Sequence, residues 1–133
     1  MNLDIKARFF FDRLVAQHKG ELFDVSSLMS FFDLKADVLI TKKVWDSYVS
    51  LDASDFVLGD ILWMLRCHLT GLLPCNRVAH PYGHVLEFEL LACVKGAADP
   101  SLIRLQALVD ERTGWVTVYD HDVKIPGKKM QPN

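Results

Sequence analysis

The densest run of reactive side chains lies between Arg66 and His84, where Cys67, His68, Cys75, His80 and His84 stand among Asn76, Arg77 and Tyr82. Thiolates and imidazoles are the ligands that zinc prefers. The run His80–Pro81–Tyr82–Gly83–His84 brings two imidazoles close together on a turn. Cys67, Cys75, His80 and His84 are therefore the candidates for a pocket or metal site. Their spacing argues for a plainer role. Seven residues separate the two cysteines, so there is no short knuckle pair. Cys67 and His68 are neighbours on a predicted helix, where only one can face a given direction. Isolated cysteines are usually small buried hydrophobes, and the sequence calls for no metal or other cofactor.

A thiolate activated by one of these histidines would be the catalytic version of the same cluster, but it needs hydrogen-bond contact that nearness in sequence does not supply. Glu87 and Glu89, on one face of a predicted strand, stand about 7 Å apart from the strand rise. That separation suits acid–base chemistry, yet a solvated face with Arg104 as cross-strand partner explains the pair more simply. The glycines are scattered, so no loop is built to cradle phosphate. No serine sits in a nucleophile elbow, and there is no helical metalloprotease motif. Enzyme classes that carry such motifs lose their usual support, and the sequence leans away from catalysis.

A second surface is better suited to binding. If Val116 and Val118 face the core, then Trp115, Thr117, Tyr119 and His121 face away from it. Arg104, Gln106, Glu87 and Glu89 on neighbouring strands would share that outer face. Trp, Tyr and Arg anchor protein interfaces because they bury much area with few rotors. Arg104, Trp115, Tyr119 and His121 are therefore the candidate protein-binding residues. The charges of Asp120 and Asp122 favour the protonated form of the intervening His121, which would make the contact responsive to pH. The competing expectation is that a helix from the first half covers this face and the aromatics are core.

These residues need elements to position them. Leu3, Ala7, Phe10, Phe11, Leu14, Val15 and His18 follow helical spacing up to Gly20, with Phe9 off the stripe. A short helix is predicted over 24–34, capped by Asp24 and apolar at Val25, Leu28, Met29 and Phe32. Over 35–51, β-branched and aromatic residues favour two short strands, 38–40 and 44–51, although Thr41 could instead cap a helix through Trp45 and Tyr48. Residues 54–69 form a helix apolar nearly all round, stopped by Gly71 and Pro74, which places it centrally or in an interface. Alternation from Leu86 through Val94 then predicts a strand ending near Gly96, and a hairpin is expected over 102–121. Helices first and strands later give an α+β class, with N-terminal helices packed on a C-terminal, mainly antiparallel sheet of about three to five strands. Residues 1–123 are read as one domain, and 124–133 as a loose basic tail.

The chain has 133 residues, half of them hydrophobic, enough for one core without staples. Asp4, Lys6 and Arg8 interrupt the place where a signal peptide needs its apolar region, and no run reaches the roughly 20 apolar residues of a membrane span. Cys67, Cys75 and Cys93 make an odd count that fits a reducing, cytoplasmic setting. The net charge of −2 is uneven: residues 44–122 hold five Lys and Arg against eleven Asp and Glu. An acidic body repels phosphate backbones, so nucleic acid and membrane are not expected as partners. The expectation is a non-catalytic protein that binds another protein through its sheet face and acidic surface, in the style of small inhibitor or immunity proteins of mobile elements. The surplus of apolar side chains is also compatible with a homodimer. The alternative is a small-ligand-binding protein or enzyme with its pocket around residues 67–84.

Overall fold

Strict alternation in the second half of the chain builds a meander. β3 (Asn76–His80), β4 (Gly83–Ala92), β5 (Ser101–Asp110) and β6 (Trp115–Asp120) pair in sequence order, each antiparallel to the next. The computed structural model describes residues 21–32, 34–49, 56–92 and 99–125. The helix predicted over 3–18, the first residues of the helix predicted over 54–69, Cys93 and Val94, and the tail beyond Ile125 lie outside them.

Two further strands precede the meander, β1 (Leu22–Asp24) and β2 (Asp37–Thr41), and they are antiparallel to each other. β2 then joins the far side of β6 in parallel, with Val38 opposite Val116 and Ile40 opposite Val118. The result is a six-stranded mixed sheet in the order β1-β2-β6-β5-β4-β3. This corrects the expected three to five strands; the sheet is mainly antiparallel, as expected, with β2–β6 its one parallel pairing. Two strands went unread. β3 shows its alternation only through Val78 and His80, because its other positions are exposed, and β1 has only three residues.

Among the described residues the helices are three. α1 (Ser26–Met29) tightens into a 3₁₀ turn, Ser30–Phe32, in place of the continuous helix expected over 24–34. The Asp24 carboxylate accepts the Ser26 N–H at 2.9 Å. α2 (Lys42–Val44) widens into a π turn over Trp45–Val49. The strand expected over 44–51 is thus helical as far as described, and the weighed alternative with Thr41 at the helix start is the one observed. The aromatic and β-branched content here serves helix packing: Val44 and Val49 are buried, while the Trp45 ring stacks on Phe23 at 4.6 Å. α3 (Phe56–Leu69) runs as predicted to Gly71, whose φ of +78° provides the left-handed stop.

All described helices pack on one face of the sheet. Ile61, Leu62 and Leu65 of α3 join Leu86, Phe88, Leu90, Ile103, Leu105, Ala107, Val116 and Val118 in one apolar cluster. These strand residues alternate with the ones on the opposite face, so the register assigns every strand residue to a side. A second, small cluster lies on that opposite face, where Val78, Val85 and Leu108 are covered by Ile125 and flanked by Tyr119. The chain after β6 therefore turns back over the sheet, held by the buried Gln106 amide, which donates to the carbonyls of Asp120 (3.0 Å) and Val123. Lys124 and Ile125, read as the start of a loose tail, include the buried Ile125. Among the described residues no helix is long and apolar enough to cross a membrane.

Candidate functional site

The outer face of the sheet carries three of the four candidate binding residues. Cross-strand partners share a face, and the pairs Glu87–Gln106, Glu89–Arg104 and Gln106–Tyr119 put Arg104 and Tyr119 on the side away from α3. Trp115 and Thr117 follow from the alternation along β6. Trp115 and Tyr119 are both half-buried and stand about 13 Å apart along the strand from its rise per residue. Arg104 Nε lies 3.4 Å from Glu89 Oε2, and both side chains are open to solvent. No described helix covers this face. Its middle is closed by the returning segment at Ile125, against which Tyr119 packs.

His121 lies past the end of β6, in the turn. Its N–H donates to the Arg104 carbonyl (3.2 Å) and to Asp120 Oδ1 (2.8 Å), and its ring Nδ1 is 3.1 Å from the same oxygen. Next to Arg104 sits a feature the sequence reading passed over. Leu91 pairs with Leu102 on the outer face, and they are 68% and 49% exposed. The signal was present, since both leucines occupy the polar phase of their strands, but it needed the register to bring them together.

A second missed constellation surrounds Asp120, which is 4% exposed. The Tyr48 hydroxyl is 3.3 Å from both carboxylate oxygens, and Lys43 Nζ is 3.7 Å from Oδ2 and bonded to Asp122. Burial, followed by the charge of Asp120, pushes the Tyr48 phenol above its ordinary range, so it remains a donor. The hydrogen bond to Asp122 raises Lys43 and lowers Asp122 in turn. Phenol, ammonium, imidazole and carboxylate are the tools of acid–base chemistry. Here, however, the chain's own donors fill the accepting positions of Asp120, so the group works as a clamp between α2 and the end of β6.

The four Cys and His candidates do not converge. His80 pairs with Gly83 and His84 with Ala79, so the two imidazoles that the turn seemed to unite lie on opposite faces of the hairpin. Tyr82 N–H donates to His80 Nδ1 at 3.1 Å. His84 Nε2 faces Arg77 Nη1 at 3.1 Å; a guanidinium only donates, so Nε2 accepts and Nδ1–H points to Glu111 Oε1, 3.3 Å away. Cys67 is buried on α3, and Cys75 packs against the main core. Burial pushes the Cys75 thiol up, with Arg77 pulling the other way, which is the reverse of what a thiolate nucleophile needs. Among the described residues no group of three or more His, Cys, Asp or Glu is placed to hold a metal ion.

Tyr82 belongs to a different device. The Arg112 guanidinium forks onto Asp110, at 3.2 and 3.1 Å, and lies 3.2 Å from the centroid of the Tyr82 ring. With Glu111 N–H donating to the Tyr82 carbonyl at 2.8 Å, this joins the β3–β4 and β5–β6 loops. No family model, curated protein or solved structure matches this chain. Its function therefore has to be argued from the surfaces themselves.

Proposed function

We propose that this protein is a non-catalytic binding domain that holds another protein against the outer face of its sheet. The observation that carries the reading is the exposed Leu91–Leu102 pair, set beside the Arg104–Glu89 ion pair, with Tyr119, which flanks the strip that Ile125 covers, and Trp115 farther along the same face. Large apolar side chains at two paired positions of a polar sheet face gain nothing from water and gain much from a covering surface. An apolar centre rimmed by an exposed Arg and Glu has the anatomy of an interface. The acidic balance of residues 44–122 favours a partner with a basic rim. The small-ligand alternative around residues 67–84 has no convergence of its side chains to support it.

The test compares the wild type with a Leu91→Asp/Leu102→Asp double variant and a Trp115→Ala/Tyr119→Ala double variant in crosslinked pull-downs from the native host. Circular dichroism checks the fold. The reading expects each variant to keep its spectrum and lose at least ten-fold of the captured protein. Undiminished capture by the leucine variant would refute the surface. Unfolding of the aromatic variant would instead mark Trp115 and Tyr119 as core. Native mass spectrometry distinguishes a foreign partner from a second copy.

A further inference from the structure

His84 lies on the helix-bearing face of the sheet, two residues before Leu86 of the main core. Its ring stands between opposite charges. Arg77 Nη1 faces Nε2 at 3.1 Å, and Glu111 Oε1 lies 3.3 Å from Nδ1. The guanidinium only donates, so Nε2 carries the lone pair and Nδ1 the proton. The same guanidinium reaches α3, where Arg77 Nη2 donates to the His68 carbonyl at 2.9 Å. One neutral imidazole thus completes a chain from the β5–β6 loop, through the edge strand β3, to the last turn of α3. The cross-strand neighbours of His84, Ala79 and Val109, bring no charge. Among the other titratable groups nearby, Arg112 is held by Asp110 and the Tyr82 ring. His68 Nδ1 meets the Leu73 carbonyl, and Cys75 packs on the core. Arg77 and Glu111 are the charges that face His84.

We propose that this chain is a pH-sensitive link between β3 and α3, closed while His84 is neutral and opened at Arg77 when His84 is protonated. The second proton goes to Nε2 and sets an N–H against the guanidinium. The hydrogen bond is lost, and two cations remain at contact distance. Arg77 is the partner that leaves. The imidazolium gains a charge-assisted bond to Glu111, whose own N–H is fixed to the Tyr82 carbonyl at 2.8 Å. Arg77 instead occupies an exposed position on an edge strand. Its departure leaves no orphan, because the His68 carbonyl keeps the Gly71 N–H, 3.3 Å away, as a donor. Histidine is the side chain whose charge ordinarily changes between pH 5 and 8, so the link responds to mild acid. It lies on the opposite face from Leu91 and Leu102 and stands or falls apart from the proposed binding surface.

The experiment follows the His84 ring nitrogens and the Arg77 guanidinium by ¹⁵N NMR in the full-length protein from pH 8 to pH 5. At pH 8 the His84 proton is expected on Nδ1. As the pH falls, the Arg77 signals should move with the same midpoint as the His84 ring. His84→Gln supplies the control, since its amide oxygen can accept from Arg77 and does not titrate. At pH 5 the Arg77 guanidinium protons of the wild type should exchange at least five-fold faster than those of His84→Gln. A proton on Nε2 at pH 8 would overturn the proposal from the wild type alone. So would a His84 ring that does not titrate above pH 5, or Arg77 signals indifferent to its titration. Equal exchange in wild type and His84→Gln at pH 5 would overturn it as well.

Discussion

Gly83→Ala tests how tightly the β3–β4 and β5–β6 loops are joined. A Cβ at position 83 would lie 2.2 Å from the Val109 carbonyl oxygen, and real contacts do not fall below 3.0 Å, so the backbones of β4 and β5 must part by about 0.8 Å. Gly83 is paired with Asp110, and the adjacent Glu111 N–H to Tyr82 carbonyl bond is 2.8 Å. Opening it by that much carries it past hydrogen-bond length. Loss of one such bond costs about 0.5–1.5 kcal/mol. Holding alanine at the Gly83 φ of +156° adds about 1–3 kcal/mol of backbone strain. The expected destabilisation is about 2–4 kcal/mol, which lowers Tm by on the order of 10 °C in a domain of this size. Thermal unfolding followed by circular dichroism, wild type beside variant, reads it directly. A Tm within about 2 °C of wild type would show that the two loops are not in the contact described and would refute the reasoning.

Arg112→Lys keeps the charge but loses the fork onto Asp110 and the stacking on Tyr82, and should cost about 1–3 kcal/mol in urea unfolding. Tyr48→Phe removes a long hydrogen bond to Asp120 and should cost about 1 kcal/mol near neutral pH. The Tyr48 phenol titrates above its ordinary value of 10.0 in the folded protein, so the fold holds the proton more tightly than the unfolded chain does. Its contribution is complete below pH 10 and is lost as pH rises through the folded value. The stability gap between wild type and Tyr48→Phe should therefore hold up to about pH 10 and narrow as the pH is raised beyond it; a gap that stays constant above pH 10 would contradict it.

The legible parts of the fold were those where local sequence and tertiary demand agree. The long helix up to Gly71, the β5–β6 hairpin and the inward facing of Val116 and Val118 all follow from periodicity, because apolar phase and burial coincide there. The cross-strand pairing of Glu89 with Arg104 follows once the strands are placed. Periodicity failed where packing overrode propensity. Val44, Trp45, Tyr48 and Val49 have strand-like composition but form a helix, since these side chains fill the layer between β2 and α3. The parallel entry of β2 beside β6 leaves no local mark at all. The candidate surfaces divided in the same way. The outward facing of Arg104 and Tyr119 was readable along single strands, whereas the Leu91–Leu102 pair and the Asp120 clamp join residues from separate elements. His80 and His84 misled for the opposite reason: closeness in sequence across a two-residue turn placed them on opposite faces.

The parallel seam between β2 and β6 also divides the chain in time. Strands β3 to β6 meet their neighbours through short connections, and hairpins of that kind close in about 1–10 μs. Val38 must find Val116, 78 positions along the chain, and closing so long a loop is entropically expensive before any contact compensates. The meander is therefore the part that assembles early, and β1 and β2 arrive on a sheet already formed. Lys43 and Tyr48 meet Asp120 at the end of that late seam, so the clamp acts as the latch on the final step. Weakening it should quicken unfolding while leaving the rate of folding almost unchanged.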